Sequence, residues 1–228
     1  MGTVTEILAI HGWTTTINKW GPFVEGMAKL GIRIKIPLVP GLTKTITKAW
    51  TLEDYVNWLK KQVGTKKIIL LGHSNGGRFA LAFAVKYPQH VNKLILIDSA
   101  GIYHHELPMK VKRFLFNGLA KLGKQFTSSE KIKTILYKLA REEDYKNATP
   151  VQRRIMINLI SQDLTLILKK IKTPTLIIWG QNDKITPLSD AKLMHKLIEN
   201  SKLEIIRAGH SPHYTHPQEA ARIIHEYL

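Results

Sequence analysis

The feature that most constrains this chain is the stretch Lys67–Gly77, which reads KIILLGHSNGG. Its four consecutive apolar residues, partly β-branched, are typical of a strand buried on both faces of a parallel sheet. Gly72, Ser74 and Gly76 then form a G-x-S-x-G spacing, and residues 78–86 continue as an apolar helical segment. A strand, a tight turn and a helix in this order would hold the Ser74 hydroxyl clear of the sheet, under the positive end of the helix. The pattern predicts a nucleophile whose substrate becomes an oxyanion.

Five further apolar segments of strand length are spaced along the chain, with helical patterns between most of them. They lie at residues 6–10, 32–37, 93–98, 175–179 and 203–207. Together with the central strand they predict an open parallel sheet with right-handed crossovers. Segment 32–37 alternates apolar and basic residues, which favours a position near the edge of the sheet.

The alternation breaks between residues 102 and 170, where three or four helical segments occur without a good strand pattern. One has an apolar stripe through Val111 and Phe114, Ser129 could cap a second, and Thr149-Pro150 would begin a third. We therefore expect a core made of residues 1–101 and 171–228, and a helical cap inserted at 102–170.

Composition excludes several classes of protein. The chain has no cysteine, which excludes disulfides, thiol catalysis and cysteine-ligated zinc. The N-terminus lacks a basic segment followed by a long apolar one, and no apolar run is long enough to cross a bilayer. We expect a cytoplasmic protein without a membrane span. The net charge of +17 would attract anions, although a lysine-rich background explains it equally well.

A serine nucleophile needs a base and a group that orients the base. His210 directly follows the last predicted strand, and Asp183 lies four residues past the fifth. Both positions are carboxyl ends of strands, where the loops of a parallel sheet form a site. Asp98, at the end of the fourth strand, is the alternative acid. A capping role for Ser74 is the non-catalytic interpretation.

Two other histidines, His213 and His216, compete with His210 as the base. The run His210-x-x-His213-x-x-His216 also suggests a metal site, but the two intervening prolines give it no common helical face. We therefore predict no metal and no cofactor. His11 and His73 are interpreted as residues that structure loops.

Four pieces of the sequence in the right order resemble the α/β-hydrolase superfamily over nearly the whole chain. They are His11-Gly12-Trp13, Gly72-x-Ser74-x-Gly76, Gly180-x-x-Asp183 and Gly209-His210. The resemblance implies a catalytic triad of Ser74, Asp183 and His210. It also implies an oxyanion hole formed by two backbone N–H groups, those of Asn75 and Trp13.

The chain has no room for the two strands that usually begin members of this superfamily. The remaining strands, numbered along the chain, would then lie in the order 2-1-3-4-5-6, a doubly wound sheet of the α/β class with a helical cap. Its switch point, between strands 1 and 3, is where such sheets bind ligands.

The resemblance implies a cofactor-free serine hydrolase that cleaves small carboxylic esters through an acyl-enzyme. The first alternative is a carbon–carbon bond hydrolase of dienoic keto-acids, whose anionic substrates would suit a basic cap. The second is a ligand-sensing protein of the same fold with vestigial turnover. Nucleic-acid binding is disfavoured, because no basic stripe interleaved with aromatic residues is present.

Overall fold

The sheet contains six strands in the computed structural model, which describes residues 5–14, 16–103 and 148–228. The strands are β1 (Thr5–Ile10), β2 (Ile32–Lys35), β3 (Ile68–His73), β4 (Val91–Ile97), β5 (Thr175–Gly180) and β6 (Ser201–Ile206). All neighbouring pairs are parallel and the spatial order is β2-β1-β3-β4-β5-β6. The predicted class, strand order and edge position of the second strand are confirmed.

Eight α-helices connect or flank these strands within the described residues. They are α1 (Gly21–Lys29), α2 (Leu52–Val63), α3 (Asn75–Lys86), α4 (Pro150–Ile160), α5 (Thr165–Leu168), α6 (Leu188–Leu197), α7 (Pro212–Thr215) and α8 (Pro217–Tyr227). Short 3₁₀ turns lie at Asn18–Trp20 and Pro88–His90. No helix in this part of the chain has both the length and the apolar character needed to cross a membrane.

The core has two layers because alternate strand residues face opposite sides of the sheet. In β1, Leu8 and Ile10 pack with helices α2, α3 and α6, whereas Ile7 and Ala9 pack with α1 and α8. Both faces are therefore covered, which explains why the central strands are apolar throughout.

Local sequence signals fix the starts of two helices. Thr51 Oγ accepts the Asp54 N–H and the Asp54 side chain accepts the Thr51 N–H, which completes the capping box before α2. Thr149 and Gln152 form the same arrangement before α4, with Pro150 at its first turn. Helix α6 begins at Leu188, directly after Pro187 at its N-cap.

The part of the predicted cap that the structure describes is helical and packs on the core. Helices α4 and α5 contribute Ile155, Leu159 and Leu168 to the core layer that contains α2 and α3. A backbone hydrogen bond joins the segment before α5 to the segment after β4, since Leu164 N–H donates to Gly101 O at 2.9 Å. The predicted helical segments around Val111 and Ser129 lie outside the described residues.

Candidate active site

Ser74 lies in the sharp turn between β3 and α3. Its φ of 53° and ψ of −121° are a strained conformation for a residue with a side chain. The turn is held by backbone bonds: Ser74 N–H donates to Ile97 O at 3.1 Å, and Ala100 N–H donates to Ser74 O at 2.9 Å. The Ser74 side chain makes no capping bond to α3, so the capping interpretation is wrong.

Two glycines let the surrounding backbone approach this turn. A Cβ on Gly76 would lie 2.0 Å from Ile10 O, a distance that no side chain tolerates. A Cβ on Gly12 would lie 2.7 Å from the Ser74 Cβ and 3.2 Å from its Oγ. The loop after β1 is therefore packed directly against the serine.

His210 and Asp183 meet at the same edge of the sheet. His210 Nδ1–H donates to Asp183 Oδ2 at 2.7 Å, and the two side chains are 9% and 0% exposed. The proton is assigned to Nδ1 because the carboxylate can only accept. In the neutral ring Nε2 is then unprotonated, as a general base requires.

Several hydrogen-bond donors around the Asp183 carboxylate favour its ionised form. Burial alone would raise the pKa of its carboxyl. Two effects of His210, its hydrogen bond and its charge, lower the pKa instead, and the Thr186 hydroxyl and the Ile185 N–H add to them. Together they outweigh burial, so the pKa of the Asp183 carboxyl lies below its ordinary value. Thr186 Oγ1–H donates to Asp183 Oδ2 at 2.6 Å, and Ile185 N–H donates to Oδ1 at 2.7 Å. An ionised carboxylate can stabilise a charged imidazole beside it.

The loop after β1 has its peptide orientation fixed by His11. The buried His11 ring donates through Nδ1 to Gly12 O at 2.7 Å, and Nε2 lies 2.9 Å from Thr43 Oγ1. Burial lowers the pKa of His11, which favours the neutral ring that this arrangement needs. In a trans peptide the N–H points away from the preceding carbonyl, so Trp13 N–H is directed away from His11.

The same edge of the sheet brings His73 beside His210. Their ring centroids are 5.1 Å apart, and His73 directly precedes Ser74 in the chain. His213 is buried beneath them, 4.4 Å from the His73 and Trp20 ring centroids, and so packs in the layer below the site. Asp98 also lies here, fully buried, and accepts Gly180 N–H at 2.8 Å and Ser211 N–H at 2.7 Å.

One group of side chains could hold a cation. His73, Asp98 and His210 each offer an atom within 4.8 Å of the others, the only such group found within the described ranges. It shares only His210 with the run of His210, His213 and His216 considered from sequence. Hydrogen bonds already engage all three members, with Ser211 Oγ 3.2 Å from His73 Nε2. We therefore interpret the group as hydrogen-bonded support beneath His210.

Sequence reasoning missed two residues around the site. Thr186, whose hydroxyl donates to Asp183, lies only three positions after it, but an ordinary threonine gives no signal of that contact. Arg78 on α3 is buried and donates to Gln162 O, in the segment that follows α4. Burial lowers the pKa of Arg78 to about 10, so it remains charged at neutral pH and ties that segment to the helix behind Ser74.

A doubly wound parallel sheet with a strained serine after its third strand, and with a hydrogen-bonded histidine and aspartate in the loops after its last two strands, defines an α/β hydrolase. Within this class the chain belongs to the Hydrolase_4 family, described as serine aminopeptidase, S33, whose family model matches residues 49–218.

Relatives of known activity are distant but cover most of the chain. One is the 2-hydroxy-6-oxononadienedioate/2-hydroxy-6-oxononatrienedioate hydrolase of Comamonas testosteroni, 27% identical over 95% of this chain and 82% of its own. Another is the monoacylglycerol lipase ABHD6 of Homo sapiens, 22% identical over 100% of this chain and 76% of its own. Among solved structures, the α/β hydrolase MGS-MChE2, from the metagenome of lagoon sediments at Mar Chica, Morocco, has a TM-score of 0.73. It is 25% identical over 99% of this chain and 91% of its own.

Proposed function

We propose that this chain is a serine hydrolase that cleaves small carboxylic esters. The observation that carries the proposal is the 2.7 Å hydrogen bond from His210 Nδ1 to Asp183 Oδ2 at the edge of the sheet where Ser74 sits in its strained turn. Nucleophile, base and orienting acid are the three roles that acyl transfer to a serine requires.

In the proposed mechanism, Ser74 Oγ attacks the ester carbonyl carbon while His210 Nε2 accepts the hydroxyl proton. Asp183 holds the imidazole tautomer and stabilises the imidazolium. The tetrahedral intermediate expels the alcohol, which takes the proton from His210, and leaves an acyl group on Ser74. Water then adds to the acyl-enzyme with His210 again as base, which releases the acid and restores the serine.

We assign the oxyanion hole to the backbone N–H groups of Asn75 and Trp13. Asn75 begins α3, where backbone N–H groups have no partner within the helix. The His11 bond to Gly12 O supports the role of Trp13, because it turns the next N–H away from His11. We further propose that residues 102–170 form a cap over this site and select the acyl or alcohol group.

A carbon–carbon bond hydrolase of dienoic keto-acids is the second candidate. Its support is the 27% identity to the Comamonas testosteroni relative, whose name describes a dienedioate or trienedioate substrate. The net charge of +17 would favour such anionic molecules. The same Ser74, His210 and Asp183 would serve both reactions, so the site geometry does not favour one over the other.

The test begins with a fluorophosphonate probe, which should label the wild-type chain and leave Ser74→Ala unlabelled. Hydrolysis of p-nitrophenyl esters of increasing acyl length is then compared with hydrolysis of an aromatic dienoate keto-acid. Turnover of the esters supports the proposal, and turnover of the dienoate alone supports the second candidate. Labelling without repeated turnover of any substrate would indicate the ligand-sensing alternative.

A further inference from the structure

Asp98 contacts both loops that carry the proposed acid and base. Oδ1 accepts the N–H of Gly180, the last residue of β5, at 2.8 Å. Oδ2 accepts the N–H of Ser211, which directly follows His210, at 2.7 Å. The Asp98 carbonyl oxygen also lies 3.3 Å from Thr186 Oγ1, the hydroxyl that bonds Asp183. One fully buried residue thus joins three strand ends.

Strained backbone conformations also occur around Asp98, at the carboxyl ends of the strands. In the described part of the chain, three non-glycine residues have a left-handed φ, and these are Ser74 at 53°, Asp98 at 42° and Ser211 at 102°. Such conformations persist only where the surroundings stabilise them. The carboxylate of Asp98 supplies one such contact, because it accepts the N–H of the strained residue beside His210.

The charge of Asp98 also faces the imidazole. One of its oxygens lies within 4.8 Å of a His210 ring nitrogen, while Asp183 and His73 are the other titratable groups in this cluster. Asp183 accepts the hydrogen bond from His210 Nδ1–H, and Asp98 adds a second negative charge near the ring when it is ionised. That charge favours the imidazolium that forms as the serine is activated.

We propose that Asp98 is a positioning residue for acyl transfer, fixing the Asp183 and His210 loops to each other and stabilising the charged imidazole. The inference depends on the proposed serine hydrolase function. From sequence, Asp98 appears either as an alternative acid or as a common strand ending. Its two accepted N–H bonds assign it a different role, in which it supports both partners of the pair.

The test uses two variants that tolerate a left-handed backbone, Asp98→Asn and Asp98→Gly. Asparagine offers one carbonyl oxygen, so its amide NH₂ would face one of the two backbone donors. We expect kcat for a p-nitrophenyl ester to fall about tenfold in Asp98→Asn and about 10²-fold in Asp98→Gly, with KM nearly unchanged, because the His210 loop is misplaced. The acidic limb of the kcat/KM profile should move to lower pH in both variants.

Asp190→Asn is the matched control, since it also neutralises a buried aspartate, at the start of α6. It should leave the pH profile unmoved. The inference would be overturned if the Asp98 variants changed only the melting temperature, with kcat and the acidic limb of the kcat/KM profile the same as in the wild type. If one variant does not fold, the other decides. If neither folds, the rate of fluorophosphonate labelling is measured in Asp98→Glu, which retains the carboxylate but displaces both acceptor oxygens. A labelling rate equal to that of the wild type would overturn the positioning role, and a slower rate would support it.

Failure of the proposed function has a separate signature. The wild-type chain would then resist fluorophosphonate labelling at Ser74 or would not turn over any p-nitrophenyl ester, whatever the Asp98 variants do. A labelled wild type with unaffected Asp98 variants would contradict only the positioning role.

Discussion

Gly12→Ala tests whether the loop after β1 and the serine turn must touch for the reaction to proceed. Gly12 precedes the proposed oxyanion donor Trp13, and its α-carbon faces Ser74. An added methyl carbon would lie 2.7 Å from the Ser74 Cβ and 3.1 Å from His73 O. These neighbours belong to the strained turn, which has little freedom to move, so the loop and the turn must separate.

The size of the effect follows from that distance. Restoring an ordinary contact of 3.4 Å from 2.7 Å requires a separation of about 0.7 Å. A displacement of about 1 Å costs roughly 10²-fold in rate, and loss of one oxyanion donor costs about 10²–10³-fold. We therefore expect kcat/KM to fall about 10²-fold, which corresponds to about 2.7 kcal/mol of transition-state stabilisation. The free energy of unfolding should fall by about 1–3 kcal/mol through overpacking.

The assay is steady-state hydrolysis of a p-nitrophenyl ester, with thermal unfolding measured on the same preparation. Gly209→Ala is the matched control, because it also lies beside a proposed site residue but its added methyl would meet no atom within 4 Å. That control should retain nearly all activity. A Gly12→Ala enzyme within threefold of wild type would refute the claim that these two segments must be in contact.

Three further predictions concern the acid, a helix start and the buried carboxyl. Asp183→Asn should lower kcat about 10³–10⁴-fold, because the base loses its tautomer and its counter-charge; a loss under tenfold in an ester assay would contradict the assignment. Thr51→Ala should lower the free energy of unfolding by about 1 kcal/mol through loss of the cap, with activity unchanged, and exposed Thr47→Ala serves as its control in calorimetry. Burial raises the pKa of Asp98 from 3.8 to about 7, so the folded chain retains a proton that the unfolded chain releases between these values. That contribution to stability is complete below pH 3.8 and is lost as the pH rises to 7, by at most about 1.4 kcal/mol per pH unit. Asp98→Asn should therefore melt with a weaker pH dependence over that interval, and equal slopes would show that the buried carboxyl does not titrate there.

Local sequence patterns were sufficient to predict much of the fold. The apolar runs predicted the six strands, and the resemblance to α/β hydrolases predicted the strand order found in the sheet. Thr51 and Thr149 marked helix starts, because a capping bond involves residues only three apart. The strained turn at Ser74 could also be predicted, because such a turn requires small residues two positions before and after the serine, as the G-x-S-x-G spacing provides.

The support of the site depends on long-range packing. Asp98 accepts hydrogen bonds from residues 82 and 113 positions away, and no periodicity links them. The contact of Arg78 with the segment after α4 joins residues 84 positions apart. The sequence by itself determined which side chains lie at the carboxyl ends of the strands, because strand and loop patterns are local. Only the tertiary structure decided that Asp183 bonds the imidazole while Asp98 bonds the loops around it, since both carboxylates follow strands in the same way and differ only in what packs against them.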